Sequence, residues 1–329
     1  NGGPVPPGTP AQDGKSSKLV SESVSGAMFL KDKIRYIEKS TGHLYEINTD
    51  GGDKNIISNT TIPGIFEVAF SPLGTRAILK YESENGLSVI SAQFTGSSTK
   101  ATFLPEGIKD IVFSPKGDRI AYVLVSGDDG SVITATPDNK TKTTRLKMPV
   151  TSWKLSWVDA NNIYLRTAAS AHLDGFLYRL TLASGASTKI FGPSAGLEAS
   201  TNGTNAFLSF SDPVNRTLYS SMLNIASGKI SSLALKTLPD KCVWSKKSKD
   251  VIFCAAPLSL PAGIYPDDWH KGKISTSDAI VKINIKDSSV SSTSIQEEID
   301  ATDLVLSEDE SSLIFLNKRD GSLWRVKLN

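Results

Sequence analysis

Ile108-Lys109-Asp110-Ile111-Val112-Phe113-Ser114-Pro115-Lys116-Gly117-Asp118-Arg119-Ile120-Ala121-Tyr122-Val123 is two β-rich runs on either side of one tight turn. Proline presets φ at the second turn position, and glycine accepts the positive φ that a sharp reversal needs. Apolar runs flanking such a turn read as a β-hairpin. Phe70-Ser71-Pro72-Leu73-Gly74-Thr75-Arg76-Ala77-Ile78-Leu79 repeats the device upstream. Weaker copies follow at Trp157 to Leu165, Val243 to Phe253 and Val305 to Phe315.

The residues that close the first strand of each hairpin are Ser71, Ser114, Val158, Thr201, Ser245 and Ser307, spaced by 43, 44, 43, 44 and 62. Each unit continues through a polar turn to a third strand, such as Gly42 to Ile47, Gly175 to Leu180 or Gly321 to Val326. A fourth strand then follows. A period of about 40–45 residues with four strands per unit describes a β-propeller blade. Seven units fit, at about 26–60, 64–105, 107–149, 150–193, 195–238, 239–299 and 300–329. The last stops after its third strand, while Lys18 to Val24 has strand character and no unit of its own. The sequence therefore predicts an all-β, seven-bladed propeller over 18–329, closed by an N-terminal strand (Leu19–Val24) in the last blade, which leaves no open sheet edge there. Helical periodicity is confined to Gln296–Asp303, where a short turn is expected.

Phe70-Ser71-Pro72-Leu73-Gly74 and Phe113-Ser114-Pro115-Lys116-Gly117-Asp118-Arg119-Ile120-Ala121-Tyr122 resemble the signature of TolB-like, WD-repeat-like propeller proteins. That family includes periplasmic scaffolds and the propeller lids of prolyl-type serine peptidases. The whole chain is also similar to membrane-anchored propellers of bacteria with reduced genomes. The resemblance implies exposure outside the cytoplasm and supplies no activity. At blade spacing the Ser-Pro-x-Gly element reads as structural, and Phe70, Phe113, Trp157, Trp244 and Phe315 read as filling the wedges between blades.

Charge and composition bound the function. The 329 residues are 39% hydrophobic and 21% charged with a formal net charge of +2, which argues against nucleic acid as partner, since that would need a clustered basic face. No apolar run reaches the roughly 18–20 residues of a membrane span. Residues 1–17 are Gly-, Pro- and Ser-rich and bury too little to order themselves. They read as a flexible tether, of the kind that separates an upstream membrane anchor from an external domain.

Cys242 and Cys254 lie on opposite arms of one hairpin. In the register that pairs Trp244 with Ile252 they face each other, at about 4.5–5.5 Å between Cα atoms, within disulfide reach. A disulfide is expected, and it suits an oxidising, extracytoplasmic location. The same unit holds the longest insertion, Ala255 to Asp278, between second and third strands, on the face where a propeller's central channel opens. Long loops in compact domains are functional or disordered. Here Pro257 and Pro261 precede Tyr265, Asp267, Asp268, Trp269 and His270, so an ordered loop is expected. Tyr265 and Trp269 can stack on a sugar or hold an apolar anchor, and Asp267 and Asp268 can accept hydrogen bonds. The competing reading is a lid whose aromatics pack onto the propeller.

No His-Glu-x-x-His or phosphate-binding Gly-x-x-x-x-Gly-Lys motif occurs. Three histidines exist, His43, His172 and His270. His172 lies in a loop of the same face as His270. No His or Cys spacing marks a metal site, so no metal and no cofactor is expected. The sequence thus points to a monomeric, non-catalytic binding scaffold for a protein or glycan partner at the face of the 255–278 loop. The alternatives are a hydrolase or lyase at the channel mouth using His172, His270 and nearby carboxylates, or a purely structural envelope protein.

Overall fold

The computed structural model describes residues 16–84, 86–96, 98–212 and 214–328. Most of the expected tether lies outside the described residues. The described chain forms seven antiparallel four-stranded sheets. Six are built from consecutive strands, beginning at Val24, Ile65, Ile108, Trp153, Glu198 and Cys242. The seventh contains Ala301–Leu306, Ser312–Asn317 and Leu323–Lys327, and takes Ser16–Val20 as its outer strand. We number these sheets as blades 1 to 7 in that order.

The closing strand begins earlier than the sequence suggests. Ser16 pairs with Val326 and Ser17 with Arg325, so the propeller starts inside the stretch assigned to the tether. Val24 instead opens the innermost strand of blade 1, Val24–Leu30. The expected helical turn at Gln296–Asp303 is absent. Its last three residues join Ala301–Leu306, the innermost strand of blade 7. The helical pieces among the described residues are Pro239–Lys241 and Asp267–His270.

First strands of neighbouring blades lie against one another around the axis, for example Val24–Leu30 with Ile65–Phe70 and Ile108–Phe113 with Trp153–Trp157. Seven clusters of buried apolar residues each straddle two adjacent blades, including Phe113 between blades 2 and 3 and Phe315 between blades 6 and 7. Each sheet is apolar on both faces, so stacking it between two neighbours removes most of its surface from water.

The repeat turns share one hydrogen-bond pattern. Gly117 has φ +73° and its N–H donates to the Ser114 carbonyl at 2.8 Å, while Arg119 N–H donates to Ser114 Oγ at 3.1 Å. Gly74 (φ +65°), Ser71 and Arg76 reproduce it. In blade 7 Glu310 occupies the glycine position at φ +55°, with Ser312 N–H on Ser307 Oγ. The arginines after the turn bond within their own blades, Arg76 to Gln93 and Arg119 to the Thr141 carbonyl.

Candidate functional site

The insertion in blade 6 runs between the strands Val251–Pro257 and Asp278–Asn284. It folds down onto the propeller. Tyr265 and Trp269 are buried with Leu218 and Leu238, and Leu260 and Ile274 pack against them. Tyr265 and Trp269 are thus the pillars of a lid. Trp269 Nε1 donates to Asp300 at 3.0 and 3.2 Å, and the Lys318 ammonium sits 3.8 Å from its ring centroid.

Beneath the lid lies a buried ionic knot. Lys241 Nζ meets Asp278 at 2.8 Å and Asp300 at 2.5 Å, with all three side chains almost wholly removed from solvent. Thr276 Oγ1 and Ser275 Oγ also donate to Asp300, at 2.9 Å each. Burial favours the neutral acid, but Lys241 and these donors hold the Asp300 carboxyl below its ordinary range. Asp278, with fewer donors, is pushed up by the same burial.

The two aspartates of the loop are structural partners. Asp267 accepts from Ala171 N–H at 2.6 Å and Ser170 Oγ at 3.2 Å, tying the lid to a loop of blade 4. Asp268 accepts from Ile264 N–H at 2.8 Å and pairs with Lys273 at 3.3 Å. Ser211 Oγ, near the end of the second strand of blade 5 (Asn205–Asp212), donates to the Tyr265 carbonyl. The lid is therefore bonded to a loop of blade 4 and to the end of a blade 5 strand, and with the turn that follows that strand they make one raised surface. It presents Leu173, Val214 and Leu258, exposed at 65%, 86% and 66%. His172 is exposed on the same surface; its backbone N–H donates to Ser170 Oγ at 3.4 Å, and no hydrogen bond joins it to His270.

His270 turns toward the channel. Its Nε2 lies 2.5 Å from Oε1 of Glu198, a carboxylate with no solvent exposure. Burial favours neutral imidazole, yet Glu198 beside it raises the His270 pKa. Burial, and after it the Asp240 charge, push Glu198 up as well. Asp240 is held by Arg166 at 3.0 Å.

This pair belongs to a charged ring around the channel mouth. Lys80 bridges Glu67 at 2.6 Å and Asp110 at 3.5 Å, and Lys154 reaches Asp110 at 3.2 Å. Although burial opposes it, Asp110 and Glu67 raise the Lys154 pKa. Asp303 faces channel water but is walled by protein elsewhere. Burial, then Asp240 and Glu67, push its carboxyl up to about 6. The ring has a sequence signature. Glu67, Asp110, Lys154 and Asp303 each sit four residues before the strand-closing positions Ser71, Ser114, Val158 and Ser307. Glu198 and Asp240 stand three and five before Thr201 and Ser245.

Cys242 faces Cys254, Trp244 faces Ile252, and the two cysteines form a disulfide. No helix among the described residues is long and apolar enough to cross a membrane.

No protein-family model and no curated protein matches the chain. Solved structures do. Oligogalacturonate lyase from Vibrio parahaemolyticus is similar over 96% of this chain and 94% of its own, at TM-score 0.66 and 8% identity. The Swd1 β-propeller domain from Myceliophteria thermophila is similar over 96% and 100%, at TM-score 0.61 and 10% identity. TolB from Acinetobacter baumannii is similar over 91% of this chain and 64% of its own, at TM-score 0.52 and 10% identity. A lyase, a Swd1 β-propeller domain and a TolB protein share this architecture with the seven-bladed chain, so the likeness shows the fold and leaves the activity to the residues of the site.

Proposed function

We propose that the chain is an extracytoplasmic binding scaffold that docks a protein or glycan partner on the face of the blade 6 insertion. One observation carries the reading. The blade 6 lid is bonded to a loop of blade 4 through Asp267 and to the end of a blade 5 strand through Ser211, and the outward side is studded with Leu173, Val214, Leu258 and His172. A surface whose shape is fixed before binding loses little conformational entropy on association. The disulfide supports an oxidising compartment, and residues 1–17 have the composition of a spacer to an upstream anchor.

The test is capture of envelope proteins and glycans by the immobilised chain, compared with a Leu173→Asp, Val214→Asp, Leu258→Asp variant of unchanged circular dichroism. Binding that the variant loses is expected. Binding that survives in the variant, or no binding of any envelope component, removes the proposal.

A second reading rests on the His270–Glu198 pair, a titratable couple open to the channel. It would make the mouth the active centre of a hydrolase or lyase. A substrate panel assayed with the parent and His270→Ala separates the two readings, because activity lost in the variant assigns the chemistry to this pair.

A further inference from the structure

Three side chains from three places in the sequence converge at the channel mouth. Glu198 comes from the first strand of blade 5, Asp240 from the turn Pro239–Lys241 before blade 6, and His270 from the end of the lid helix. One ligating atom from each lies within 4.8 Å of the other two. Glu198 is the unusual member. It has no solvent exposure, its Oε1 meets His270, and its Oε2 is buried without any hydrogen-bond partner. A buried carboxylate oxygen left unpaired is costly, and a cation between the three groups would satisfy it.

We infer that Glu198, Asp240 and His270 form a site for a divalent transition-metal ion, with zinc or manganese the best match. One imidazole nitrogen and two carboxylates suit these ions rather than calcium, which wants six or more oxygens. Three protein ligands leave at least one position for water or a partner's donor. That position faces the channel, since the Asp240 and His270 side chains are 38% and 39% exposed.

Metal–ligand bonds of about 2.0–2.2 Å require ligand atoms about 3.4 Å apart in a tetrahedron. The His270–Glu198 pair therefore opens slightly and Asp240 closes in. Asp240 has room to do so, being partly exposed in the middle of the short turn Pro239–Lys241. Arg166, at 3.0 Å from Asp240, offsets one of the two carboxylate charges and fixes the orientation of that ligand. Glu198 is anchored by burial and His270 by the lid, whose Trp269 is held on Asp300. The lid thereby delivers a metal ligand, which gives the longest insertion in the chain a chemical role.

The experiment is equilibrium dialysis of the untagged, chelator-stripped chain against zinc or manganese, read by elemental analysis. One ion per chain is expected. His270→Ala and Asp240→Asn should each weaken uptake about tenfold or more, while His43→Ala, on the far blade 1, leaves it unchanged. Both site substitutions are at partly exposed positions, and circular dichroism reports their folding. As a second measurement, saturating metal should raise the melting temperature of the parent and not of His270→Ala. No saturable uptake by the parent, or uptake unchanged in both variants, overturns the inference.

Discussion

At Glu310 a single residue joins two blades. Its carboxylate accepts from Ser245 Oγ at 2.8 and 3.0 Å, and from the N–H groups of Lys246 and Lys247 at 2.7 and 3.1 Å. It does this from a left-handed backbone, φ +55°, where blades 2 and 3 use glycine. Hydrogen bonds to a charged group contribute about 1.5–3 kcal/mol. Glu310→Ala should therefore lower stability by roughly 1–3 kcal/mol, measured by urea denaturation at neutral pH. Glu310→Gly should cost less, because glycine relieves the backbone conformation while losing the same bonds. Asp303 offers a test of opposite sign. Its folded pKa, about 6, stands above the unfolded value near 4. The stabilising contribution of the protonated form is full below about pH 4 and lost as pH rises through about 6. Asp303→Asn should flatten that decline and raise stability at pH 7, by about 1 kcal/mol or less since the group is open to water. Denaturation midpoints at pH 4, 5, 6 and 7 check it, and an unchanged slope between pH 4 and 6 refutes the assignment.

The elements show what a repeat makes legible and what it hides. The Ser-Pro-x-Gly turns located the hairpins because their geometry is local: Gly117 and Ser114 settle it within four residues. The Cys242–Cys254 pairing was legible for the same reason, being a register consequence of Trp244 opposite Ile252. Replacing both cysteines by alanine should cost about 2–3 kcal/mol through the loop entropy returned to the unfolded chain, read as a drop in the urea midpoint of the non-reduced protein. The lid was legible as an ordered insertion but not in its polarity. Tyr265 and Trp269 have the composition of a binding pair, and only the presence of Leu218, Leu238 and Asp300 beneath them turns them inward. The lid's anchorage is testable at Asp300. Removing it leaves the Lys241 ammonium with Asp278 as its one remaining carboxylate beside the Thr276 hydroxyl, and Trp269 Nε1 without a partner. Breaking a buried ion pair from one side costs about 3–5 kcal/mol. Asp300→Ala should accordingly destabilise by that order and raise hydrogen-exchange rates across 264–274, with blades 1 to 3 unaffected in the native-state exchange pattern. The trio Glu198, Asp240 and His270 was beyond sequence reasoning, because no spacing rule spans 198, 240 and 270; only ring closure brings the three together.

At the scale of the whole molecule, one strand converts an open stack of seven sheets into a ring. Ser16–Val20 supplies the outer edge of blade 7, whose other strands end the chain. Val20 is buried, and Leu19 packs with it in the cluster shared by blades 7 and 1, which also contains Val24, Ile34, Ile314 and Leu323. Arg325 crosses the same seam to the Thr49 carbonyl at 2.5 Å. Starting the chain at Ser21 removes the ladder on Leu323–Lys327 and exposes this seam. Burial of Val20 and much of Leu19 alone is worth about 3 kcal/mol, so the truncated protein should melt well below the parent. Truncation by itself cannot separate loss of packing from loss of closure, but strand transfer can. Ser16–Val20 runs antiparallel to Leu323–Lys327, with Ser16 opposite Val326, so a tight turn after Leu328 leading into a second copy of Ser16–Val20 forms a hairpin in the same place. The transferred strand restores the edge pairing and packing of blade 7 without the covalent tie to blade 1, so it should recover the packing share of the lost stability while the cooperativity of thermal unfolding stays below the parent's. A truncated chain as stable as the parent would show that the blades are held by their pairwise wedges and that the closing strand is incidental, and a transfer that restores stability and cooperativity in full would show that packing alone, not the tie between blades 1 and 7, holds the ring.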